Sequence, residues 1–196
     1  MSAPHRAATG PLHLLKSNTR YFTDGSGRAI FLTGTHNWNN FQDTGHRADT
    51  GHLCGHVCGD NVWVWKSSTR GLNVLFMEEL TPSPTWHDSA RVGMGQVRLF
   101  CERVNLAELT PHEALASTAY CLAKPGLEYV VFQPGGRGEF SVNLSDGAGA
   151  FAAEWLDVNR DTTSKGETVE GGEHRVFRTP FPGPAVLYLK STGASR

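Results

Sequence analysis

The sequence lacks long apolar runs and an excess of charge of either sign. No stretch approaches the roughly 18 consecutive apolar residues that a membrane-spanning helix needs, so no membrane partner is expected. The 196 residues carry 18 Lys and Arg against 19 Asp and Glu, a formal net charge of −1. Such a balance gives no support to nucleic acid as a partner.

Cysteine is scarce, and the first residues have no apolar secretory signal. The opening stretch MSAPHRAATGPLHLL is interrupted by polar residues and predicts a cytoplasmic location. The four cysteines, Cys54, Cys58, Cys101 and Cys121, do not form a secreted disulfide framework, so reduced thiols are expected. The length predicts one to two domains, and the 22 glycines favour turn-rich β structure.

Two apolar segments end in polar side chains. Arg28–Asn37 and Leu72–Glu79 each predict a buried strand of this kind, which is typical of α/β barrels, where chemistry lies at the carboxyl ends of the strands. However, the segment between Trp38 and Leu75 is about the length of one βα unit, and a closed barrel needs roughly 200 residues. The sequence thus predicts parts of a barrel without the length for a complete one.

Other patterns in the first half predict a hairpin, a strand and a helix. Asp24–Gly27 lies between two apolar runs, as in a β-hairpin. Asn61–Lys66 (NVWVWK) alternates and predicts a strand. A helix is predicted from Trp86 or His87 to Asn105, with Thr85 as its N-cap. Its apolar stripe repeats every three or four residues and comprises Ala90, Met94, Val97, Cys101 and Val104.

From Ala119 onward the apolar period changes to two. Gly- and Pro-rich turns separate short strands, which predicts a small antiparallel β-sandwich. Phe140, Val142 and Leu144 would share one face of a strand. The five predicted strands are Glu128–Gln133, Glu139–Leu144, Ala150–Val158, His174–Arg178 and Ala185–Lys190.

Several segments resemble one known family. YFTDGSGRAIFLTGTHNWNNFQD resembles the opening of bacterial apiosidase-like glycoside hydrolases. MGQVRLFCERVNLAELTPHEALASTAYCLAKPGLEYVVFQPGG, with the later EWLDV, resembles the joint between that barrel and a C-terminal β-domain. That β-domain carries the label of a collagen-binding domain of a collagenase. LFMEE at 75–79 resembles the last barrel strand, although Glu78 and Glu79 replace the Asp and Pro usual in the family.

The resemblance implies a mainly β chain with some α, in which most of a (β/α)8 barrel is missing. Segments resembling strands three to seven, which carry the family's catalytic carboxylates, are absent. An internal deletion, a frame-shifted join or a divergent small protein would each explain this. The expected organisation is a flexible arm at 1–18, barrel-strand remnants at 19–80 with a poorly matching segment at 44–70, a helix and linker at 81–118, a β-sandwich at 119–190 and a tail at 191–196.

Carboxylates suited to hydrolysis are few in this sequence. A glycosidase needs two carboxyl groups roughly 5–10 Å apart. Glu78 and Glu79 are adjacent, so on a strand they point to opposite faces and cannot form that pair. Asp43 with Glu78 is the candidate pair across a barrel mouth. The plainer interpretation gives one inward and one solvated carboxylate at 78–79.

His36, Asn37 and Trp38 are the candidate sugar-contacting residues. A Trp ring offers a flat apolar wall, and His and Asn can bond hydroxyl groups, a combination found in small-molecule sites. The alternative is a loop that packs Trp38 against the β-domain. Trp155, in EWLDV, is expected to be a core or inter-domain aromatic, with a role as a ligand platform as the alternative.

His52, Cys54, His56 and Cys58 form an H-x-C-x-H-x-C pattern. Four nitrogen and sulfur ligands suit tetrahedral zinc, but the spacing differs from that of common zinc fingers. A bent Gly-rich loop could gather them, whereas incidental His and Cys richness is the plainer interpretation. We therefore expect no metal and no cofactor.

Three functions remain open from the sequence. The first is a truncated relative of a glycoside hydrolase, without catalytic carboxylates, that binds carbohydrate or protein through its β-sandwich. The second is an active apiosidase-like glycosidase, acting on side chains of plant-type polysaccharides, with oligomers possible. The third is a small binding module or zinc-binding protein. Collagen enters as a partner only through the family label, and relatives in that family are often exported.

Overall fold

The structure, a computed structural model, describes residues 10–36, 59–77, 88–136 and 138–193. It is mainly β with two helices, as the sequence predicts. The helices are α1 (Asn61–Thr69) and α2 (Asp88–Cys101), and a short 3-10 turn spans Glu113–Leu115. The strands are β1 His13–Leu14, β2 Phe22–Thr23, β3 Gly34–His36, β4 Leu75–Met77, β5 Thr110–Pro111, β6 Cys121–Lys124, β7 Glu128–Gln133, β8 Glu139–Asn143, β9 Ala150–Asp157, β10 Thr162–Lys165, β11 Val169–Glu170, β12 His174–Arg178 and β13 Ala185–Ser191.

The C-terminal half is built on one antiparallel sheet with the strand order β10-β9-β13-β7-β6-β5, and β11 pairs with β9 at one end. The central strand β13 pairs with both β7 and β9, so that Leu187 lies opposite Val131 on one side and Trp155 on the other. All five strands predicted from the period-two pattern are present, with bounds within a residue of prediction. β5, β6, β10 and β11 are additional strands that the pattern does not reveal.

A second sheet of two strands, β8 and β12, covers one face of the main sheet. Phe140 and Phe177 lie opposite each other in this pair and their rings stack with centroids 5.9 Å apart. The predicted face of Phe140, Val142 and Leu144 is buried. It meets Tyr129, Val131, Leu187 and Leu189 of the main sheet in one apolar cluster. The predicted β-sandwich is therefore confirmed.

The opposite face of the main sheet is covered by the two helices. Val130, Phe132 and Val186 face this side and share a cluster with α1 and α2. Because β7 is buried on both faces, its residues Glu128–Phe132 are all inaccessible. The domain thus has three layers, two-stranded sheet, main sheet and helices, with the C-terminal sheet in the middle.

The prediction of a strand at Asn61–Lys66 is wrong, because this segment forms α1. The Asp60 carboxylate accepts a 2.7 Å hydrogen bond from the backbone N–H of Trp63 and caps the helix start. At the other end, Gly71 has a φ of +76° and its N–H bonds Ser68, while the N–H of Leu72 bonds Ser67, the pattern of a Schellman cap. These caps, and the burial of α1 against α2 and the main sheet, override the β preference of Val and Trp.

β3 and β4 form a separate two-stranded parallel sheet. Gly34 lies opposite Leu75 and His36 opposite Met77. These strands lie within the two segments that the sequence predicts as strands, but they are shorter. Their parallel pairing, with a helix in the connection, is the arrangement of neighbouring strands in a βα barrel.

Residues 10–18 belong to the folded structure, in contrast to the flexible arm predicted over 1–18. β1 pairs with β2, Leu15 is buried, and the side-chain N–H of Asn18 donates to the carbonyl of Leu109 at 2.9 Å. The turn at Asp24–Gly27 does reverse the chain, since the N–H of Ile30 bonds the carbonyl of Phe22 at 2.7 Å. The hairpin is thus real, but β1 provides the main partner of β2.

The predicted helix near residue 86 is present as α2, which ends at Cys101, about one turn before Asn105. Ala90, Met94 and Val97 of the predicted stripe are buried. Gly93 lies where α2 crosses α1. A Cβ at Gly93 would lie 2.8 Å from the Cα of Asn61. Glycine therefore permits the close approach of the two helices. In the described part of the chain, neither helix is long and apolar enough to cross a membrane.

One buried amide connects both helices to the main sheet. Gln96, on α2, is 5% exposed. Its Oε1 accepts a 3.2 Å hydrogen bond from the indole N–H of Trp65 on α1, and its Nε2 donates at 2.9 Å to the carbonyl of Val158, just after β9. Gln96 thus provides hydrogen-bond partners for the indole N–H of Trp65 and the carbonyl of Val158, two buried polar groups from other parts of the chain.

We expect Gly93→Ala to destabilise the fold by about 1–3 kcal/mol, the usual cost of forcing extra atoms into a packed contact. Gly95, two residues along the same helix, has open space where a Cβ would lie. Gly95→Ala should therefore stabilise by about 0.5–1 kcal/mol through helix propensity alone. Urea unfolding of both variants checks this, and equal effects of the same sign would contradict the close-approach role of Gly93.

Gln96→Met should keep the volume of the side chain but lose both of its hydrogen bonds. The indole N–H of Trp65 and the carbonyl of Val158 would be left buried without these partners, at a cost of about 1–3 kcal/mol each. The second variant, Trp65→Phe with Gln96→Met, removes the orphaned indole N–H and should show non-additive unfolding energies. Strict additivity in this double-mutant cycle would argue against the bridge.

Candidate functional site

The carboxyl ends of β3 and β4 lie side by side, because the strands are parallel and His36 is opposite Met77. Neighbouring strands are about 4.8 Å apart, so the last described residues of both strands lie at one edge of the pair. We call this edge, formed by the backbone of His36 and Met77, the strand-end edge. It is the position that active sites occupy in βα barrels.

The sequence candidates for sugar contact and catalysis follow this edge along the chain. Asn37 and Trp38 come directly after β3, and Glu78 comes directly after β4. The backbone of His36 is described, but its side chain is not, and the candidates Asn37, Trp38, Asp43 and Glu78 lie outside the described residues. The zinc candidates His52, Cys54, His56 and Cys58 also lie outside them. Within the described ranges, no cluster of three or more His, Cys, Asp or Glu could hold a metal.

Asn73 positions the two strands that lead to this edge. Its Oδ1 accepts from the N–H of Leu32 at 3.1 Å, and its Nδ2 donates to the carbonyl of Arg20 at 2.9 Å. The hydroxyl of Thr33 donates to the carbonyl of Val74 at 2.9 Å. Side chains therefore tie the approaches to β3 and β4 together and to the segment before β2.

An apolar pocket lies among α1, α2 and the main sheet. Its volume is about 20 Å³, roughly the space that one water molecule needs. The hydroxyl groups of Ser68 and Thr69 are already bonded, since both donate to the carbonyl of Trp65. No carboxylate lines it. The lining residues are Tyr21, Phe31, Trp65, Ser68, Thr69, Val97, Phe100, Cys101, Val104, Leu106, Leu122 and Val130. This pocket therefore lacks both the size and the acid groups for cleaving a glycosidic bond.

Two thiols in the described core are inert. Burial raises the pKa of Cys101 to about 12, and burial also raises the pKa of Cys121 to about 12. A thiol with such a pKa is almost fully protonated at neutral pH and is a poor nucleophile. Cys121 is 1% exposed on β6. Both residues therefore serve packing, as the sequence predicts.

The aromatic residues of the β-sandwich do not form a surface platform. Trp155 is 7% exposed and packs edge-on against Phe140 and Phe177. Tyr129 is fully buried, and its hydroxyl accepts from the N–H of Gly126 at 2.7 Å. Trp155 is thus a core aromatic, which was the favoured sequence interpretation. The described β-sandwich residues include no exposed aromatic side chain.

A buried acid–tyrosine pair is one feature that sequence reasoning missed. The hydroxyl of Tyr188 on β13 donates to Glu128 Oε1 on β7 at 2.5 Å, and Glu128 is 6% exposed. Burial and the adjacent carboxylate raise the pKa of Tyr188 well above its usual value. Arg103 pairs with Glu154 on the neighbouring strand β9. The sequence signal for this pair is a Glu at the start of an apolar strand. The hydrogen bond joins β7 to β13 within the sheet.

The raised thiol pKa values predict alkaline destabilisation. Burial raises the pKa of Cys121 from its ordinary value of 9.0 to about 12 in the folded chain. The stability that the buried, protonated thiol contributes is therefore fully present below pH 9. It is lost as pH rises towards 12, at up to about 1.4 kcal/mol per pH unit per group. The free energy of unfolding between pH 8 and 11 should fall less steeply in Cys121→Ala than in the native chain. An identical slope in both proteins would rule out this role.

No protein-family model and no curated protein matches the sequence. The fold, in contrast, is similar to parts of solved glycoside hydrolases. One neighbour, described as a glycoside hydrolase, is 12% identical with a TM-score of 0.52, covering 70% of this chain and 38% of the neighbour. A family 5 glycoside hydrolase from Bacteroides vulgatus is 11% identical with a TM-score of 0.52, covering 69% of this chain and 36% of that one. The chain thus spans less than two fifths of either neighbour. Neither neighbour is described as an apiosidase or as collagen-binding. At 11–12% identity the similarity concerns the fold alone. This chain therefore has part of a glycoside-hydrolase-like fold.

Proposed function

We propose that this protein is a shortened relative of a glycoside hydrolase that binds carbohydrate at the strand-end edge without cleaving it. The observation that carries the proposal is the direct parallel pairing of β3 with β4. It brings together two strand ends of the kind that form the active-site face of a βα barrel. The connection between them contains α1 and has about the length of one βα unit, which leaves no room for several more strands.

We expect no catalysis at this edge, because only two strands are available to hold a pair of carboxylates in position. Hydrolysis needs an acid and a second carboxyl group held roughly 5–10 Å apart on opposite sides of the scissile bond. In barrel enzymes the catalytic residues come from the ends of several strands. Here Glu78 follows β4 directly in the sequence, and the other candidate, Asp43, comes several residues after β3. Two strands give a weaker framework for such a pair than a closed ring of eight.

Binding makes smaller demands than catalysis, and the residues that follow β3 suit it. Trp38 can offer a flat apolar face to a sugar ring, while His36 and Asn37 can bond its hydroxyl groups. The β-sandwich was the expected binding surface from the sequence. Its aromatic side chains Trp155 and Tyr129 are occupied in the core, which favours the strand-end edge instead. In this proposal the β-sandwich provides the surface on which the two helices pack.

A glycan array followed by calorimetry on the hits tests the binding proposal. Trp38→Ala should weaken binding at least tenfold, because one stacked ring provides most of the apolar contact. Leu99, an exposed apolar residue on α2, supplies the matched control, and Leu99→Ala should bind as the native chain does. Equal affinities in all three proteins, or no binding to any glycan, would overturn the proposal.

Hydrolysis assays on the same glycans separate binding from the alternative of an active apiosidase-like glycosidase. We expect no product above the uncatalysed background from the native chain, nor from Glu78→Gln. Turnover by the native protein that disappears in Glu78→Gln, with binding retained, would instead establish Glu78 as a catalytic carboxylate. The glutamine variant keeps the size of the side chain and removes only its acid.

A further inference from the structure

We draw no further inference here: the strongest candidate, the outer edges of the two-stranded parallel sheet of β3 and β4 beside the exposed Leu72 and Leu75, is an unpartnered apolar face, and nothing in the described part of the structure shows what covers it.

Discussion

The buried amide of Gln96 is the contact on which the arrangement of the layers depends. Apolar packing would hold α1 and α2 on the sheet in many orientations, because the hydrophobic effect has no direction. The two hydrogen bonds of Gln96, to the indole of Trp65 and the carbonyl of Val158, require one rotation and one height of α2. Gly93 then lets α1 approach at backbone distance. An amide, a glycine and an indole therefore convert a non-specific apolar layer into a defined one.

The C-terminal half could be predicted from sequence because its strands carry a local signal. Strands β7, β8, β9, β12 and β13 alternate or run apolar between Gly- and Pro-rich turns, and the structure places them within a residue of the predicted bounds. Trp155 is likewise a core aromatic, as expected from the sequence. What sequence could not give is the strand order, since β13 inserts between β7 and β9. That pairing joins distant segments and depends on which faces remain to be buried.

The failures occurred where a capping residue or tertiary burial decides the structure. NVWVWK alternates like a strand, yet Val64 and Trp65, adjacent in sequence, are both buried. A helix that packs against both α2 and the main sheet permits this, whereas a half-exposed strand does not. Asp60 caps the start of α1 and Gly71 lies at its end with a positive φ, and neither residue is part of the alternating pattern. β10 is exposed throughout, so no apolar pattern could mark it, and its pairing with β9 comes from the backbone alone. Residues 10–18 were assigned to a loose arm because the one long-range bond of Asn18 leaves no trace in composition.

The pairing of β3 and β4 resembles that of neighbouring strands in a βα barrel, but two strands alone are a weak support for a catalytic site. A parallel sheet gains most of its stability from burial on both faces, and here Leu75 is 41% exposed on β4. The side-chain bonds of Asn73 and Thr33 supply part of what neighbouring strands would otherwise provide. Such ties fix the approach to the strand ends, whereas catalysis requires groups held within about 0.5 Å by a packed surrounding shell. A sugar that stacks on one ring and bonds two side chains tolerates looser geometry than hydrolysis does, which is why we propose recognition, and not cleavage, for this pair of strands.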